Sequence, residues 1–389
     1  MSPDRPKLSV VATSRNDDHG GNLLARMQWF LDGLVEQATA HGVATELVLV
    51  EWNPPSGVAP LAEAMRWPAP GNVTTRVVTV PGPVHDRLPH SETLPLFQMI
   101  AKNAGIRRAR GEFVMATNID ILFSDELFAF MAGPLEHRTL YRVDRHDIDF
   151  PVANDMSVQE ALRYCATHPR RIVRKDGVYY PGRGRVVPTY QGLGDYAATQ
   201  GRHLLDRVRG KRAGGRGPEQ AGGSRAGGLR EAGGRVADRL DAAVAMATLP
   251  KLHINACGDF TLLSRDDWFA LRGYPEWPMF SWNLDSVFLY QAHAHGLCVV
   301  ELPSELAIFH IEHGQGSGWT PEGRETLFQQ IERVGTPYLS DVDLRKKARE
   351  IRRDTRAGRP PVYNGLDWGF ADDDLPDVAT SSAGRTGGR

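Results

Sequence analysis

Short apolar runs alternate with segments of helical periodicity through roughly the first 150 residues of the chain. Residues 8–12 (LSVVA) are continuously apolar, as a strand buried on both faces would be. Residues 23–40 set Leu24, Met27, Phe30, Leu31 and Leu34 three and four apart, the stripe of an amphipathic helix. Residues 46–50 and 74–80 predict a second and a third strand, and residues 96–108 a second helix. After a turn at Gly111, residues 112–116 (EFVMA) predict a fourth strand. Such alternation predicts an α/β fold with a mostly parallel, Rossmann-like sheet and helices on both faces. Polar residues follow three of these strands: Ser14, Arg15 and Asn16 after the first, Glu51 after the second, Asn118 and Asp120 after the fourth. Open α/β sheets bind ligands at that edge. Residues two apart in an extended segment face one side, so Asn118 and Asp120 are expected to share a cation or a polar ligand.

Further along, residues 140–149 predict one more strand, with a charged run over 144–147. The pattern lapses at residues 201–241, where Gly pairs recur among Arg and Ala. Residues 207–236 hold too few large apolar side chains for a core and predict a disordered insertion. Its basic excess reads as a solvated linker, with contact to an anionic membrane or nucleic acid as the alternative. Order returns at residues 252–263, with an apolar run over 256–263 read as a buried strand, and a helix starting at 264–267. A helix with Asp285 in its first turn should stop at Gly296, and strands are expected at 298–302 and 306–309, the latter running into His310. A further helix should start at Thr320. Residues 341–370 predict a C-terminal extension, and the acidic, Ser/Gly-rich residues 371–389 a disordered tail.

Composition narrows the partners. With 46 Lys and Arg against 47 Asp and Glu, the net charge of −1 makes no electrostatic case for nucleic acid. Cys165, Cys257 and Cys298 are far apart and not in metal-ligand spacing, which suits a reducing compartment. No apolar run approaches the ~20 residues of a spanning helix, and no signal peptide can be read. A cytoplasmic chain is expected, with peripheral contact at the inner face of a membrane left open.

Several motifs recur in a recognisable order: Ser14-Arg15-Asn16 after the first strand, Glu51 after the second, residues 102–112 (KNAGIRRARGE), then Asn118-Ile119-Asp120. Gly258-Asp259-Phe260, residues 272–276 (RGYPE), Asp285 and His310 follow. Together they resemble the GT-A glycosyltransferases, the family-2-like group in particular, over about residues 7–319 without the insertion. The resemblance implies one catalytic domain over residues 7–340, with a nucleotide-binding half at 7–150 and an acceptor-side half at 250–340. It implies inverting transfer of a sugar from a nucleotide-sugar donor to a hydroxyl of a saccharide or glycolipid. The donor would contact Ser14, Arg15, Asn16, Glu51, Lys102, Asn103 and Asn118. Asp120 and His310 would hold Mn²⁺ or Mg²⁺, with His313 as a second histidine candidate. Asp285 would be the catalytic base, with Asp259 second. Two positions depart from the pattern: Asn118 stands for the first Asp of the DxD motif, and Glu51-Trp52-Asn53 for the usual Asp pair.

The chemistry asks for such groups. A leaving diphosphate gains charge in the transition state, which a divalent cation or a positive clamp neutralises. Oxygen and imidazole ligands suit such a cation. The attacking hydroxyl loses a proton, for which a carboxylate within reach serves. Asp259 lies in an apolar run, where a carboxylate is costly unless paired. Structural alternatives stand beside each: Asp120 as a cap for the helix near Ser124, His310 and His313 as plain loop residues, Asp285 as a helix N-terminal charge. Trp52, Trp282 and Trp319 suit sugar rings or core packing equally, and residues 314–318 a loop closing over donor or a plain turn. Two rival functions remain at this stage. Nucleotidyl transfer to a sugar phosphate normally opens with a Gly-rich basic loop, which residues 14–22 supply only in Gly20-Gly21. Non-catalytic nucleotide-sugar binding is suggested by Asn118.

Overall fold

The computed structural model describes residues 5–183, 185–188, 248–313 and 324–381 and is an α/β protein with two mixed sheets. Its strands are β1 (Leu8–Ser14), β2 (Thr45–Trp52), β3 (Val73–Val80), β4 (Phe113–Thr117), β5 (Ile121–Phe123), β6 (Thr139–Arg142) and β7 (Arg145–Ile148). They continue with β8 (Pro169–Val173), β9 (Gly177–Tyr180), β10 (Arg185–Pro188), β11 (Phe260–Ser264), β12 (Cys298–Glu301), β13 (Ile308–Ile311) and β14 (Asp377–Thr380). The helices are α1 (Leu23–Ala40), α2 (Leu61–Ala64), α3 (Gly82–His85), α4 (Gln98–Arg108) and α5 (Asp125–Ala132). After them come α6 (Val158–Thr167), α7 (Arg265–Leu271), α8 (Leu284–Ala294), α9 (Arg324–Arg333) and α10 (Asp341–Arg356).

The centre of the larger sheet is the expected one: β4, β1, β2 and β3 lie side by side in parallel. Leu8, Val10 and Ala12 pack on one face with Met27, Phe30 and Leu31 of α1. Val11 packs on the other with Ile100, Ala101 and Ala104 of α4. Burial of both faces is why these strands read as unbroken apolar runs. Gly105 brings α4 close, since a Cβ there would lie 2.5 Å from Val11 Cγ1.

Outside that centre the sheet is mixed rather than mostly parallel. Strand β11 pairs antiparallel with β4 and with β6, β12 joins β6 in parallel, and β14 pairs antiparallel with β3. The smaller sheet has the order β10-β9-β8-β7-β13-β5. Residues 140–149 are therefore two strands in different sheets, not one. Residues 252–259 are not strand either: Cys257–Asp259 is a 3₁₀ turn, so Asp259 lies at the mouth of β11 instead of inside it.

The tail expected to be disordered from residue 371 carries β14, with Asp377 opposite Val78 and Thr380 opposite Thr75. An ion pair between Arg76 and Asp377 and a Thr380–Thr75 hydroxyl bond of 2.8 Å fasten it. An edge strand lives on backbone pairing, so its acidic composition gave no warning. The insertion at 207–236, the Gly-rich stretch 314–318, Trp319 and the helix start at Thr320 lie outside the described residues. No described helix is long and apolar enough to cross a membrane.

Candidate active site

Chain topology brings Asp120 and the two histidines together. Strand β4 runs through Asn118-Ile119 to Asp120, which immediately precedes β5, and β13 pairs antiparallel with β5. Ile311 N–H donates to the Asp120 carbonyl at 2.9 Å, which fixes the register. His310 Nε2 then lies 3.8 Å and His313 Nε2 3.3 Å from Asp120 Oδ2. One ligand atom from each of the three falls within 4.8 Å of the others. His310 is a strand residue, whereas His313 sits in the loop two residues past the strand. Ser124 caps α5 by accepting from Leu127 N–H at 3.2 Å, which disposes of the capping alternative for Asp120.

A residue the sequence reading did not single out completes the cluster. Arg26, on the buried face of α1, places Nη1 2.9 Å from Asp120 Oδ2. Its Nε donates to the Gly21 carbonyl at 3.2 Å and its Nη2 to the His19 carbonyl. The guanidinium thus staples the loop after β1 onto Asp120. Burial works against the Asp120 charge, but His310, His313 and Arg26 outweigh it and hold the carboxyl well below the usual carboxylate range. Asp120 Oδ1 is buried and, among the described residues, faces no donor. An ionised oxygen in that position is costly unless a cation addresses it. One carboxylate oxygen and two imidazole nitrogens form a donor set that could hold a divalent cation. Gly20 is pressed on the same group: its φ is +74°, and a Cβ there would lie 2.2 Å from His313 Nδ1.

Behind Asp120, Asn118 turns the other way. Its Oδ1 accepts from Lys102 Nζ at 2.8 Å and from Gln98 Nε2 at 3.0 Å, while its Nδ2 donates to Asp259 Oδ1. Lys102 Nζ also donates to the Gly258 carbonyl at 2.6 Å. The side chain of Lys102 is fully buried, and burial pushes its pKa down to about 8 against the pull of Asp259 and Asp285. Lys102 and Asn118 are therefore brackets joining α4, β4 and β11, rather than groups laid open to a donor. Asp259 has its second oxygen on Arg145 Nη1, so both oxygens are engaged and it is a poor base.

Asp285 is better placed. It begins α8, accepts from Ser286 N–H at 2.8 Å, and lies against Gly258, where a Cβ would come within 2.9 Å of its Oδ2. Burial raises its pKa, with hydrogen bonds from Cys257 and Ser286 and the charge of Lys102 opposing. A carboxyl shifted upward and only partly buried in the fold suits proton abstraction.

Ser14, Arg15, Asn16 and Glu51 do share one edge, but each is tied to the protein. Ser14 Oγ donates to Met27 Sδ at 3.4 Å, and Arg15 Nε to the Asn53 carbonyl at 2.8 Å. Asn16 Nδ2 donates to the Ala59 carbonyl at 2.8 Å, and Glu51 Oε1 accepts from Leu61 N–H at 2.9 Å. Arg15, Asn16 and Glu51 shape the loop from residue 53 to 61, while Ser14 is tied to α1.

Asn103 is turned toward other neighbours than Lys102 and Asn118. Its Nδ2 donates to the Tyr274 carbonyl at 2.8 Å and to Glu276 Oε1 at 2.9 Å, and its Oδ1 accepts from Tyr274 N–H at 2.8 Å. Successive helical residues point about 100° apart, so Lys102 and Asn103 face different neighbours. Trp52 is core, fully buried with Nε1 on His85 Nδ1 at 3.0 Å. Trp282 donates to Asp341 Oδ1 at 3.2 Å and so joins α8 to the C-terminal extension.

The chain matches no protein-family model and no curated protein. Its site therefore has to be read on its own geometry. Arg26 carried one readable signal, a charge between Leu23, Met27 and Phe30 on an otherwise apolar helical face. Asp147, which holds His310, carried a weaker one in the charged run 144–147.

Proposed function

We propose that this protein is a glycosyltransferase that moves a sugar from a nucleoside-diphosphate donor to a hydroxyl of a saccharide or glycolipid acceptor, assisted by a divalent cation. One observation carries the reading. At the carboxyl edge of the parallel strands, a buried carboxylate oxygen that faces no donor among the described residues stands among two imidazoles, and the charge of Asp285 acts on Lys102, which is bonded to Asn118. The order of the motifs along the chain, which resembles GT-A enzymes, supports the same assignment. Asp120, His310 and His313 would hold the cation, and when bound it would neutralise the charge gathering on the leaving diphosphate. Asp285 would take the acceptor proton as the hydroxyl attacks, a contribution of typically ~10²–10⁴-fold. Gly20 packs against His313, so the Gly20-Gly21 pair has a use other than cradling a phosphate, which weakens the nucleotidyl-transfer alternative.

The test is turnover of a panel of nucleotide sugars with Mn²⁺ and with chelator. Metal-dependent release of nucleoside diphosphate supports the reading. Asp285→Asn should keep donor binding and lose transfer. Tight donor binding without turnover of any sugar on any acceptor would leave a binding protein and sink the enzyme.

A further inference from the structure

His310 touches two carboxylates of opposite duty. Its Nε2 side faces Asp120, while its Nδ1 lies 3.0 Å from Asp147 Oδ1. Asp147 is 0% exposed and sits on β7, the strand parallel to β13, with Asp147 directly opposite His310 in the register. Two arginines hold its charge. Arg145 Nη2 donates to Asp147 Oδ2 at 3.3 Å, and Arg171 Nε, from β8, donates to the same oxygen. Arg171 and Arg170 continue to Glu312, between the two histidines, with Arg170 Nη1 2.7 Å from Glu312 Oε2.

An ionised carboxylate only accepts, so the hydrogen bond at Nδ1 requires the imidazole proton there. The lone pair of a neutral His310 is then on Nε2, the nitrogen beside Asp120. A histidine that binds metal through one nitrogen commonly donates its other N–H to such a carboxylate, which fixes the ring and raises its basicity. Nothing else in the proposed mechanism uses Asp147, although a buried carboxylate with two guanidinium partners is an expensive thing to build.

We infer that Asp147, clamped by Arg145 and Arg171, is a positioning residue for the cation site: it fixes the tautomer and orientation of His310 so that Nε2 is presented beside Asp120. The inference rests on the assignment of Asp120, His310 and His313 as cation ligands. It extends the site along the smaller sheet, from β13 onto β7 and β8.

Two measurements decide it. Nitrogen NMR of the metal-free protein at about pH 9, above the usual imidazole range, reads the His310 tautomer, assigned by comparison with His310→Gln. The expected result is a proton on Nδ1; a proton on Nε2 in the wild-type protein overturns the inference and needs no variant to fold. Calorimetric titration with Mn²⁺ then compares wild type with Asp147→Asn and Asp147→Ala. The Ala variant should bind about 10–100-fold more weakly and lose the fixed tautomer, while Asn, which can still accept from Nδ1–H, should keep the tautomer and lose less affinity. Unchanged Mn²⁺ affinity in a folded Ala variant overturns the role of Asp147 alone. Mn²⁺ binding without any sugar transfer would overturn the glycosyltransferase reading and leave this inference standing. A wild type that binds no Mn²⁺ even with a nucleoside diphosphate present overturns both.

Discussion

Arg26→Met is the sharpest probe of the site, because it removes a charge without touching a proposed ligand. Arg26 Nη1 lies 2.9 Å from Asp120 Oδ2, and the two side chains are 2% and 8% exposed. Removing one partner of a buried pair typically costs ~3–5 kcal/mol, because the other charge stays behind unpaired. His310 and His313 remain beside Asp120, so the lower end, about 3 kcal/mol, is expected. Loss of the bonds to the Gly21 and His19 carbonyls acts in the same direction. In a chain of this size that corresponds to a fall in Tm on the order of 5–10 °C.

Mn²⁺ should reverse most of it. A ligand at 100 times its Kd stabilises the folded state by about 2.7 kcal/mol. The cation should also bind more tightly to the variant. A guanidinium some ~5 Å from a dication opposes it by a few kcal/mol at an effective dielectric of about 20 to 40. A gain in Mn²⁺ affinity of at least ~10-fold follows from even 1.4 kcal/mol of that repulsion. Thermal melts and calorimetric titrations with and without Mn²⁺ measure both effects. If Arg26→Met melts like wild type, or if Mn²⁺ rescues it no better than it stabilises wild type, the cation does not sit at Asp120.

Asn103→Ala should cost about 3 kcal/mol from three lost hydrogen bonds while leaving nucleotide titrations unchanged, and lost nucleotide binding at full stability would return Asn103 to the site. Gly20→Ala should abolish Mn²⁺ binding by displacing His313, beyond the ~1–2 kcal/mol of a left-handed non-glycine backbone, and retained Mn²⁺ affinity would remove His313 from the ligand set. His146 is kept neutral, its pKa pushed from 6.5 down to about 4 by burial and then by Arg174. Between those values the unfolded chain binds the extra proton. Stability is therefore complete above pH 6.5 and falls toward pH 4, by up to about 3 kcal/mol. His146→Phe, beside the ring of Phe309 at 5.7 Å, should flatten that slope in denaturant titrations, and an unchanged slope would assign it elsewhere. Finally, Mn²⁺ and a nucleoside diphosphate should each tighten the other's binding by the same factor; independent titrations would contradict the charge argument given below.

Periodicity and apolar runs read the sheet centre well, because each strand and helix there is buried by its own sequence neighbours. Helix α1 falls on residues 23–40 as expected, and β1 to β4 within a few residues of the expected runs. What escaped depended on distant partners. Residues 139–148 contain no breaker, and they split because β6 pairs with β11 and β12 while β7 pairs with β8 and β13. Strand β14 exists because β3 had an open edge. In the site, Asp120 was legible from its place after a strand, but Arg26 lies 94 residues away in sequence, and only the fold makes it a partner. Asn103 faces Tyr274 and Glu276 rather than the neighbours of Lys102, because a motif spells residues in a line whereas a helix turns them apart.

The departure at Asn118 has a physical cause in the same network. Each carboxylate of the site already faces a cation: Asp120 faces Arg26, Asp147 faces Arg145 and Arg171, Asp259 faces Arg145, and Asp285 faces Lys102. A dication arriving alone would bring uncompensated charge into a site balanced without it, whereas a cation arriving with a diphosphate brings its own counter-charge. Position 118 must accept from Lys102 and donate to Asp259 at once. An amide does both; an ionised Asp has no proton to donate and would set two carboxylates against each other. Asn at 118 is thus the residue that lets Lys102 and Asp259 share one bracket, and it leaves Asp120 as the carboxylate this segment offers to the proposed cation.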